Sequence, residues 1–480
     1  MRKQVLPRFL GNTLEGDGMK RIVLFGYRGT GKTAIGTVLA QKLGVPFLDT
    51  DALVEQQAGR TIPEIFRDSG EAGFRARERE AVSGLPDRDA IIATGGGVVM
   101  DPANMEHLRK ESVCVLLSAD PNVIGHRLAH APRPALTSLS PTDEITAMLK
   151  HRRPAYAAAA DFCIDTGRTT AGEAAEKILT LLGAGSIPDT ARHTAARWFA
   201  ATPLPAPEKE ELERKLLGPG YDPQTRFLGV AGWPCGHSKS PVLFNRLFEH
   251  YRLNCHYTRF EAPEIGPVME MARLISAKGL SVTIPFKQDV MSYLDEIDEA
   301  AQKIGAVNTV VFACGRAYGW NTDWIGIRKP LAHLSGSRAV LLGAGGVAAA
   351  AAYALRDLDM EIIILNRTPE KARALAERTG CRFGAWDDFD RTNPDLVVNA
   401  TSIGMQPDTG SPLRDDQLKK EMTVCDLVYT PPVTSLIAAA RKAGCTTILG
   451  TETFVYQAQE QFRLFFGIDV PDTTIREILA

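Results

Sequence analysis

The sequence is poor in everything that would mark a secreted, metal-clamped or membrane-spanning chain. Its eight cysteines, at 114, 163, 235, 255, 314, 381, 425 and 445, form no Cys-x-x-Cys pair and have no histidine at zinc spacing. That excludes a zinc module and reads as a set of reduced, packing thiols of a cytosolic protein. Net charge is nearly absent: 55 basic against 57 acidic residues give −2, and the balance is even on both sides of residue 185, with 23 against 22 and then 32 against 35. A nucleic-acid-binding domain is excluded, whereas a small anion held by a few local arginines is not. No apolar run of signal-peptide length opens MRKQVLPRFLGNTLEGDG, so residues 1–18 are expected to be an extension ahead of the fold. The longest uncharged stretch, 339–355, is near the lower limit for a membrane span, but Gly343, Gly345 and Gly346 break it into a strand, a turn and a helix. There is no internal repeat of solenoid period.

What remains is the composition of a soluble globular protein, 44% hydrophobic and 23% charged, in 480 residues. That length exceeds one ordinary core and predicts two or three. From Lys20 to about Gly183, short apolar runs (Arg21–Phe25, Ala90–Ala93, Ser112–Leu117) alternate with helical patterns, the rhythm of one α/β domain over 19–183. Residues 184–220 hold Pro-rich and charged segments and are expected to be a linker with a short amphipathic helix. Beyond it Phe227–Ala231, Gly279–Ile284 and Ala306–Phe312 read as strands of a second α/β lobe, 221–330. Arg338–Gly343, Glu361–Leu365, Leu396–Asn399 and Val424–Val428 open a further βαβ series over 331–450, with the C-terminal helices of 451–480 folding back.

Gly26-Tyr-Arg-Gly29-Thr30-Gly31-Lys32-Thr33 is a complete phosphate loop, preceded by the apolar run RIVLF and continued from Ala34 by an amphipathic helix that Gly44 stops. Glycines let backbone N–H groups wrap the phosphates of ATP, Lys32 supplies charge to them, and the Thr33 hydroxyl can hold Mg²⁺. In Phe47-Leu-Asp49-Thr-Asp51 the two carboxylates, two apart at a strand end, are expected to point the same way. One can reach the metal through water and the other can take the proton of an acceptor hydroxyl; alone they would read as solvated caps of the next helix. Arg75 follows Phe74, Gly95-Gly96-Gly97 leaves a strand as bare backbone, and Arg133-Pro134 and Arg152-Arg153-Pro154 add guanidinium groups. Arginines bind carboxylates bidentately, so the acceptor is expected to be a small anion.

These segments, GYRGTGKT, LDTD, GEAGFRARE, ATGGG, RPAL, HRRPAY and ADFCIDT in that order, resemble shikimate kinase over about residues 20–170. The resemblance implies a P-loop, nucleoside-monophosphate-kinase-like parallel sheet that phosphorylates the 3-hydroxyl of shikimate with Mg·ATP. It implies Asp49 near the metal, Asp51 on the shikimate hydroxyls, and Arg75, Gly96 and Arg152 on the carboxylate and ring. Arg133 would sit on a lid over the γ-phosphate and Arg127 on the adenine. Ala135-Leu136 stands where the family usually has a leucine pair.

The second constellation opens at Arg338, where a strand runs into Gly343-Ala344-Gly345-Gly346-Val347-Ala348, a dinucleotide turn. The next strand ends in Asn366-Arg367-Thr368, an arginine where an NAD enzyme places a carboxylate, which favours NADP(H). Upstream, Ser238 and Ser240, two apart in an extended segment, can jointly bind a carboxylate. Thr283, Lys287, Asn308 and Asp323 add groups able to bind a polyol and move a proton, with Lys287 as acid/base and Asp323 orienting it. The bland alternative makes Asp323 a helix N-cap and Lys287 a surface charge. GWPCGHSKSP, SVTIPFK, GAVNTV, GWNTDWIG, GAGGVA, NRT, NATSIGM, DLVYTPPVT and GTETFVYQAQEQF resemble shikimate dehydrogenase across about 226–475.

That resemblance implies a two-lobed enzyme, an α/β substrate lobe and a Rossmann lobe, with Lys287 catalytic. Ser238, Ser240, Thr283, Asn308, Asp323, Tyr429 and Gln457 would hold shikimate. NADP would lie on Gly343 to Val347 and on Asn366 to Thr368, with Leu427 and Gly450 near the nicotinamide. Glu452 stands where many members have glycine, as in fused, multifunctional versions. Taken together the resemblances imply one cytoplasmic chain that reduces 3-dehydroshikimate with NADPH and phosphorylates the shikimate formed. No nucleic-acid or membrane partner is implied, and the oligomeric state, a monomer among the options, is left open. A catalytically silent ligand sensor could dispense with Lys32, Asp51, Lys287 and Asp323, all of which are present. One hydroxyl separates shikimate from quinate, and Ser238, Ser240 and Thr283 favour shikimate.

Overall fold

The computed structural model describes residues 19–129, 140–184, 188–218, 222 and 225–479. The chain packs as two compact units, one of Met1–Leu280, Val311–Ala317 and Phe462–Asp469, the other of Ser281–Val310, Tyr318–Gln461 and Val470–Ala480. These do not follow the boundaries read from the sequence. The 19–183 domain shares a unit with the first half of the 221–330 lobe, and the lobe itself is divided.

In the first unit β1 (Arg21–Phe25), β2 (Phe47–Asp49), β3 (Ile91–Ala93), β4 (Ser112–Ser118) and β5 (Phe162–Asp165) form a parallel sheet in the order β2-β3-β1-β4-β5. All five residues of β1 are buried, because helices cover both faces. Ile22 and Leu24 pack with Ile35 and Leu39 on one side, Val23 and Phe25 with Leu116 and Tyr156 on the other. Helix Ile62–Ser83 starts at a capping box of Thr61 and Glu64 and changes direction at Gly70, where φ is 65°.

The segment read as a linker holds two helices, Asp189–Ala201 and Ala206–Leu216. Phe199 packs edge-on to Phe260 at 5.3 Å, and Glu208 pairs with Arg259. Both partners lie on a strand that sequence reading did not separate, β7 (Cys255–Glu261), which runs parallel to β6 (Arg226–Gly232). The six-stranded order is β7-β6-β8-β10-β11-β9, with β8 Gly279–Val282, β9 Glu296–Ile297, β10 Thr309–Ala313 and β11 Arg316–Trp320. Strand β8 stops at Val282, short of Ile284, because Thr283 opens a turn in which its carbonyl accepts from the Phe286 amide at 2.9 Å. Helix Gly450–Phe466 sets Phe462 against Phe244 and Phe248.

The expectation of reduced cysteines is corrected at one pair. Cys163 on β5 and Cys314 in the turn after β10 form a disulfide, Cα atoms 5.0 Å apart, 151 residues apart in sequence. The other six remain thiols.

The second unit contains a wholly parallel sheet, β14-β13-β12-β15-β16-β17, built from β12 (Arg338–Leu342), β13 (Glu361–Asn366), β14 (Arg382–Ala385), β15 (Leu396–Asn399), β16 (Thr423–Asp426) and β17 (Thr446–Ile448). The alanines of helix Gly346–Asp357 are buried against this sheet, their small side chains allowing close approach. Among the described residues no helix is long and apolar enough to cross a membrane.

Candidate active sites

The loop between β1 and helix Lys32–Leu43 is held open by glycine. Gly26 has φ 143°, and a Cβ there would stand 2.2 Å from the Leu117 carbonyl oxygen. Gly31 is the helix N-cap in the left-handed region and brings no side-chain acceptor, so the first helical N–H groups suit a phosphate oxygen. Thr30 is buried in the loop, its hydroxyl donating to the Tyr27 carbonyl at 2.8 Å. Lys32 Nζ donates to the carbonyls of Gly26 and Tyr27 at 2.9 and 3.0 Å, which sets its charge over the loop. The Thr33 hydroxyl donates to Asp49 Oδ2 at 3.1 Å, two hard oxygen ligands of the kind Mg²⁺ takes.

The two aspartates are not a strand pair. Asp49 ends β2 and caps the helix Thr50–Ala58 by accepting from the Asp51 amide at 3.1 Å, and Asp51 lies in the first helical turn. Thr50 begins a helix instead of continuing the strand, so the same-side reading fails for the backbone although both carboxylates remain at the site.

Each of the three glycines after β3 makes room for a different side chain. A Cβ on Gly95 would meet Asp51 Oδ1 at 2.4 Å, one on Gly96 Arg152 Nη1 at 3.0 Å, and one on Gly97 both terminal nitrogens of Arg75 at 2.8 Å. The triplet therefore gathers Asp51, Arg75 and Arg152, a carboxylate and two guanidinium groups. Arg75 pairs with Glu78 at 2.8 Å and Glu71 at 3.2 Å. Burial raises the carboxyl pKa of Glu78, with Arg75 pulling the other way. Sequence reading missed Glu78, although its place three residues after Arg75 on one helix was a signal. Arg152 lies over the Tyr27 ring at 5.6 Å, and the Tyr156 hydroxyl donates to the Gly96 carbonyl at 2.9 Å. Arg127 spans the Gly29 carbonyl at 3.1 Å and the Thr166 carbonyl at 2.6 Å, beside the phosphate loop. Arg133 lies outside the described residues.

In the second unit Lys287 Nζ donates to Asp323 Oδ2 at 2.6 Å. Asn308 Nδ2 donates to Asp323 Oδ1 at 2.8 Å and to the Thr322 hydroxyl at 3.0 Å, so both carboxylate oxygens are held. The N-cap of helix Asp323–Leu331 is Thr322, not Asp323, whose side chain turns to Lys287 instead of its own helix. Gln457 accepts from the Thr322 hydroxyl at 3.4 Å. Gln461, one turn later on the same helix, donates to the Asn308 carbonyl and the Thr309 hydroxyl at 3.2 and 3.0 Å. That i, i+4 spacing was the unused signal for Gln461. The phenol of Tyr429 is raised above its ordinary pKa by burial, then by the charge of Asp323, and its ring stacks on Phe454. Thr283 is half-buried in the turn after β8.

Ser238 and Ser240 belong to the first unit. Ser240 is the buried first residue of helix Ser240–His250, with Pro241 fixing its first turn, and its amide donates to Ser238 Oγ at 3.3 Å. The extended arrangement expected there is a helix start. Arg259 donates to the Ser238 carbonyl at 3.1 Å, and Glu261 accepts from the Cys235 amide at 3.1 Å, so β7 fixes this loop.

At the dinucleotide turn Gly343 has φ 109°, and a Cβ would lie 2.9 Å from the Ala400 carbonyl oxygen. Gly345 and Gly346 face open space, with Ala344 and Val347 half-buried beside them, which leaves room for a pyrophosphate at the helix N-terminus. Arg367 and Thr368 are exposed after β13, and Asn366 Nδ2 donates to the Thr368 carbonyl at 2.9 Å. Leu427 is half-buried past β16. A Cβ on Gly450 would meet the Val428 carbonyl oxygen at 2.4 Å, so only glycine lets that helix start beside β16. Glu452 binds Arg476 through both oxygens at 2.6 Å, a structural pairing with the following helix, Asp472–Leu479.

A phosphate loop on a β2-β3-β1-β4-β5 sheet, with a lysine–aspartate pair and a Rossmann turn further along, defines a kinase-type domain joined to a nicotinamide-dependent oxidoreductase. Residues 28–183 match the family model for shikimate kinase. Residues 230–310 match the shikimate dehydrogenase substrate binding domain, 327–406 the shikimate/quinate 5-dehydrogenase model and 450–479 the shikimate 5'-dehydrogenase C-terminal domain. The NADP⁺-type shikimate dehydrogenase of Thermococcus kodakarensis is 39% identical over 268 residues, 53% of this chain and 96% of that protein. A crystal structure of a shikimate dehydrogenase in complex with NADP⁺ matches at a TM-score of 0.52 and 36% identity, covering 54% of this chain and 96% of that one. The Thermus thermophilus enzyme in complex with NADP(H) and shikimate matches at 0.50 and 32%, covering 53% and 98%. The chain belongs to the shikimate dehydrogenase family and carries a shikimate kinase domain ahead of it.

Proposed function

We propose that this chain performs two consecutive reactions, NADPH-dependent reduction of 3-dehydroshikimate to shikimate and phosphorylation of that shikimate at its 3-hydroxyl from Mg·ATP. The observation that carries the reading is the gathering of Asp51, Arg152 and Arg75 by three consecutive glycines beside the phosphate loop, in the same chain as the Lys287–Asp323 pair. The guanidinium groups suit the carboxylate of the acid and Asp51 its hydroxyls. NADPH supplies the hydride and ATP the phosphoryl group, so the protein's part is to bind, orient and move protons. Lys32 offsets charge on the phosphates, Asp51 takes the proton of the attacking hydroxyl, and Thr33 with Asp49 would hold Mg²⁺. Thr283, Asn308, Tyr429 and Gln457 are the proposed contacts of 3-dehydroshikimate in the second unit, and Ser238 with Ser240 is a proposed carboxylate-binding pair of the first. Reliance on ATP and NADPH suits a cytoplasmic enzyme, with no nucleic acid or membrane partner.

The test follows NADPH absorbance and ADP release together in purified protein given 3-dehydroshikimate, NADPH and Mg·ATP. Both signals are expected, and shikimate in place of 3-dehydroshikimate, with Mg·ATP and NADPH kept, should release ADP without NADPH oxidation. Well-folded protein that gives neither signal would favour a ligand sensor. Cofactor choice is tested separately. Arg367→Asp places a carboxylate where the 2'-phosphate would lie, and should raise the KM for NADPH on the order of thirtyfold while leaving turnover with NADH unchanged.

A further inference from the structure

Helix Pro141–Ala159 ends inside the first unit, and a buried helix end must find donors for its last carbonyls. The Tyr156 carbonyl accepts from the Ala160 amide at 3.0 Å. The carbonyls of Ala158 and Ala159 accept from Arg109 Nη2 at 2.6 and 3.1 Å. Those of Ala157 and Ala160 both accept from Lys278 Nζ at 2.7 Å. Arg109 falls within residues 28–183, matched to the kinase, but Lys278 falls within 230–310, matched to the dehydrogenase's substrate-binding domain.

Lys278 is 4% exposed. The ionisable groups that face it are Arg109, Asp161, Arg226 and Cys255. Burial first, then Arg109, pushes its amine down to about 7 against the pull of Asp161. Charged or neutral, the nitrogen keeps the two N–H groups these two carbonyls require.

The same helix carries Arg152 and Tyr156. Ala157 is five residues beyond Arg152, about 7.5 Å along a helix that holds Pro154 between them, and it adjoins Tyr156, so a slipped end moves Tyr156 and with it the wall against which Arg152 is set. Arg152 and Tyr156 both converge on Gly96, Arg152 Nη1 lying 3.0 Å from where a Cβ on that glycine would stand and the Tyr156 hydroxyl donating to its carbonyl at 2.9 Å. We infer that Lys278, contributed by the dehydrogenase part of the chain, is a positioning residue for the kinase's acceptor site, fixing the helix that aims Arg152 at the shikimate carboxylate. This rests on the proposed kinase reading of that site.

The experiment uses the full-length chain with Lys278→Met, which keeps the aliphatic stem and removes the donors. In the ADP-release assay the KM for shikimate should rise about tenfold, with the KM for ATP and the reduction of 3-dehydroshikimate unchanged. Lys278→Arg, which retains donors, should stay within about threefold of the parent and serves if the methionine variant does not fold. A folded methionine variant with an unchanged shikimate KM and only a lower unfolding temperature would overturn the inference. So would an equal rise in both KM values, or an arginine variant that folds with its shikimate KM raised as far as its ATP KM. A parent protein that releases no ADP with shikimate sinks the kinase reading itself, and this inference with it. Shikimate-dependent ADP release in the parent beside an unaffected variant removes the inference alone.

Discussion

Methionine in place of Lys287 is expected to lower kcat for 3-dehydroshikimate reduction by about a thousandfold while shikimate-dependent ADP release continues unchanged. As hydride reaches the carbonyl carbon, the carbonyl oxygen gains an electron pair and must take a proton. Lys287 can give one, because Asp323 at 2.6 Å holds its nitrogen in place and Asn308 at 2.8 Å fixes the other carboxylate oxygen. Methionine fills the same volume without a proton to give, so the loss should fall on kcat more than on KM. Stopped-flow NADPH absorbance checks it, with ADP release from the same preparation as the internal control. A variant that still reduces dehydroshikimate at a tenth of the parent rate would assign the proton to another group.

Lys32→Met should be the mirror image, with ADP release down about a thousandfold and NADPH oxidation at parent level. The charge of Lys32 is set over the loop by the carbonyls of Gly26 and Tyr27, where negative charge gathers as the phosphoryl group moves. A neutral thioether leaves the loop amides alone with that charge. The readout is ADP release at saturating shikimate and ATP. Loss of both activities together would point to misfolding and not to the loop.

Much of both sites was legible because glycines at strand ends announce local backbone geometry. Gly26 at φ 143° and Gly343 at φ 109° need only their own neighbours in sequence to be recognised. Residue types survived even where geometry did not. Asp49 and Asp51 were found as a pair, but Asp49 caps a helix that starts at Thr50, so strand alternation did not apply. Ser238 and Ser240 were misjudged for the same reason, a helix beginning at the second of them. Glu78 and Gln461 were missed although each stands one helical turn from a residue already singled out, because that spacing fits a solvated helix pair as well as a site. The strand Cys255–Glu261 hides His256, Arg259 and Glu261 in its interior and so carries no apolar signature. Cys163 and Cys314, brought together across 151 residues, lie beyond any local pattern.

The helix pair of residues 189–216 decides where this polypeptide can be cut. Phe260 is completely buried, with Phe199 and Trp198 as two of its aromatic neighbours, and Arg259, which holds the Ser238 carbonyl, is paired to Glu208. A dehydrogenase fragment begun at 221, where the catalytic motifs would suggest, strips that strand of its cover and presents an apolar face to other molecules. A fragment begun at Pro188 carries both helices with it. The segment between the two enzymes is thus, in practical terms, the first part of the second one.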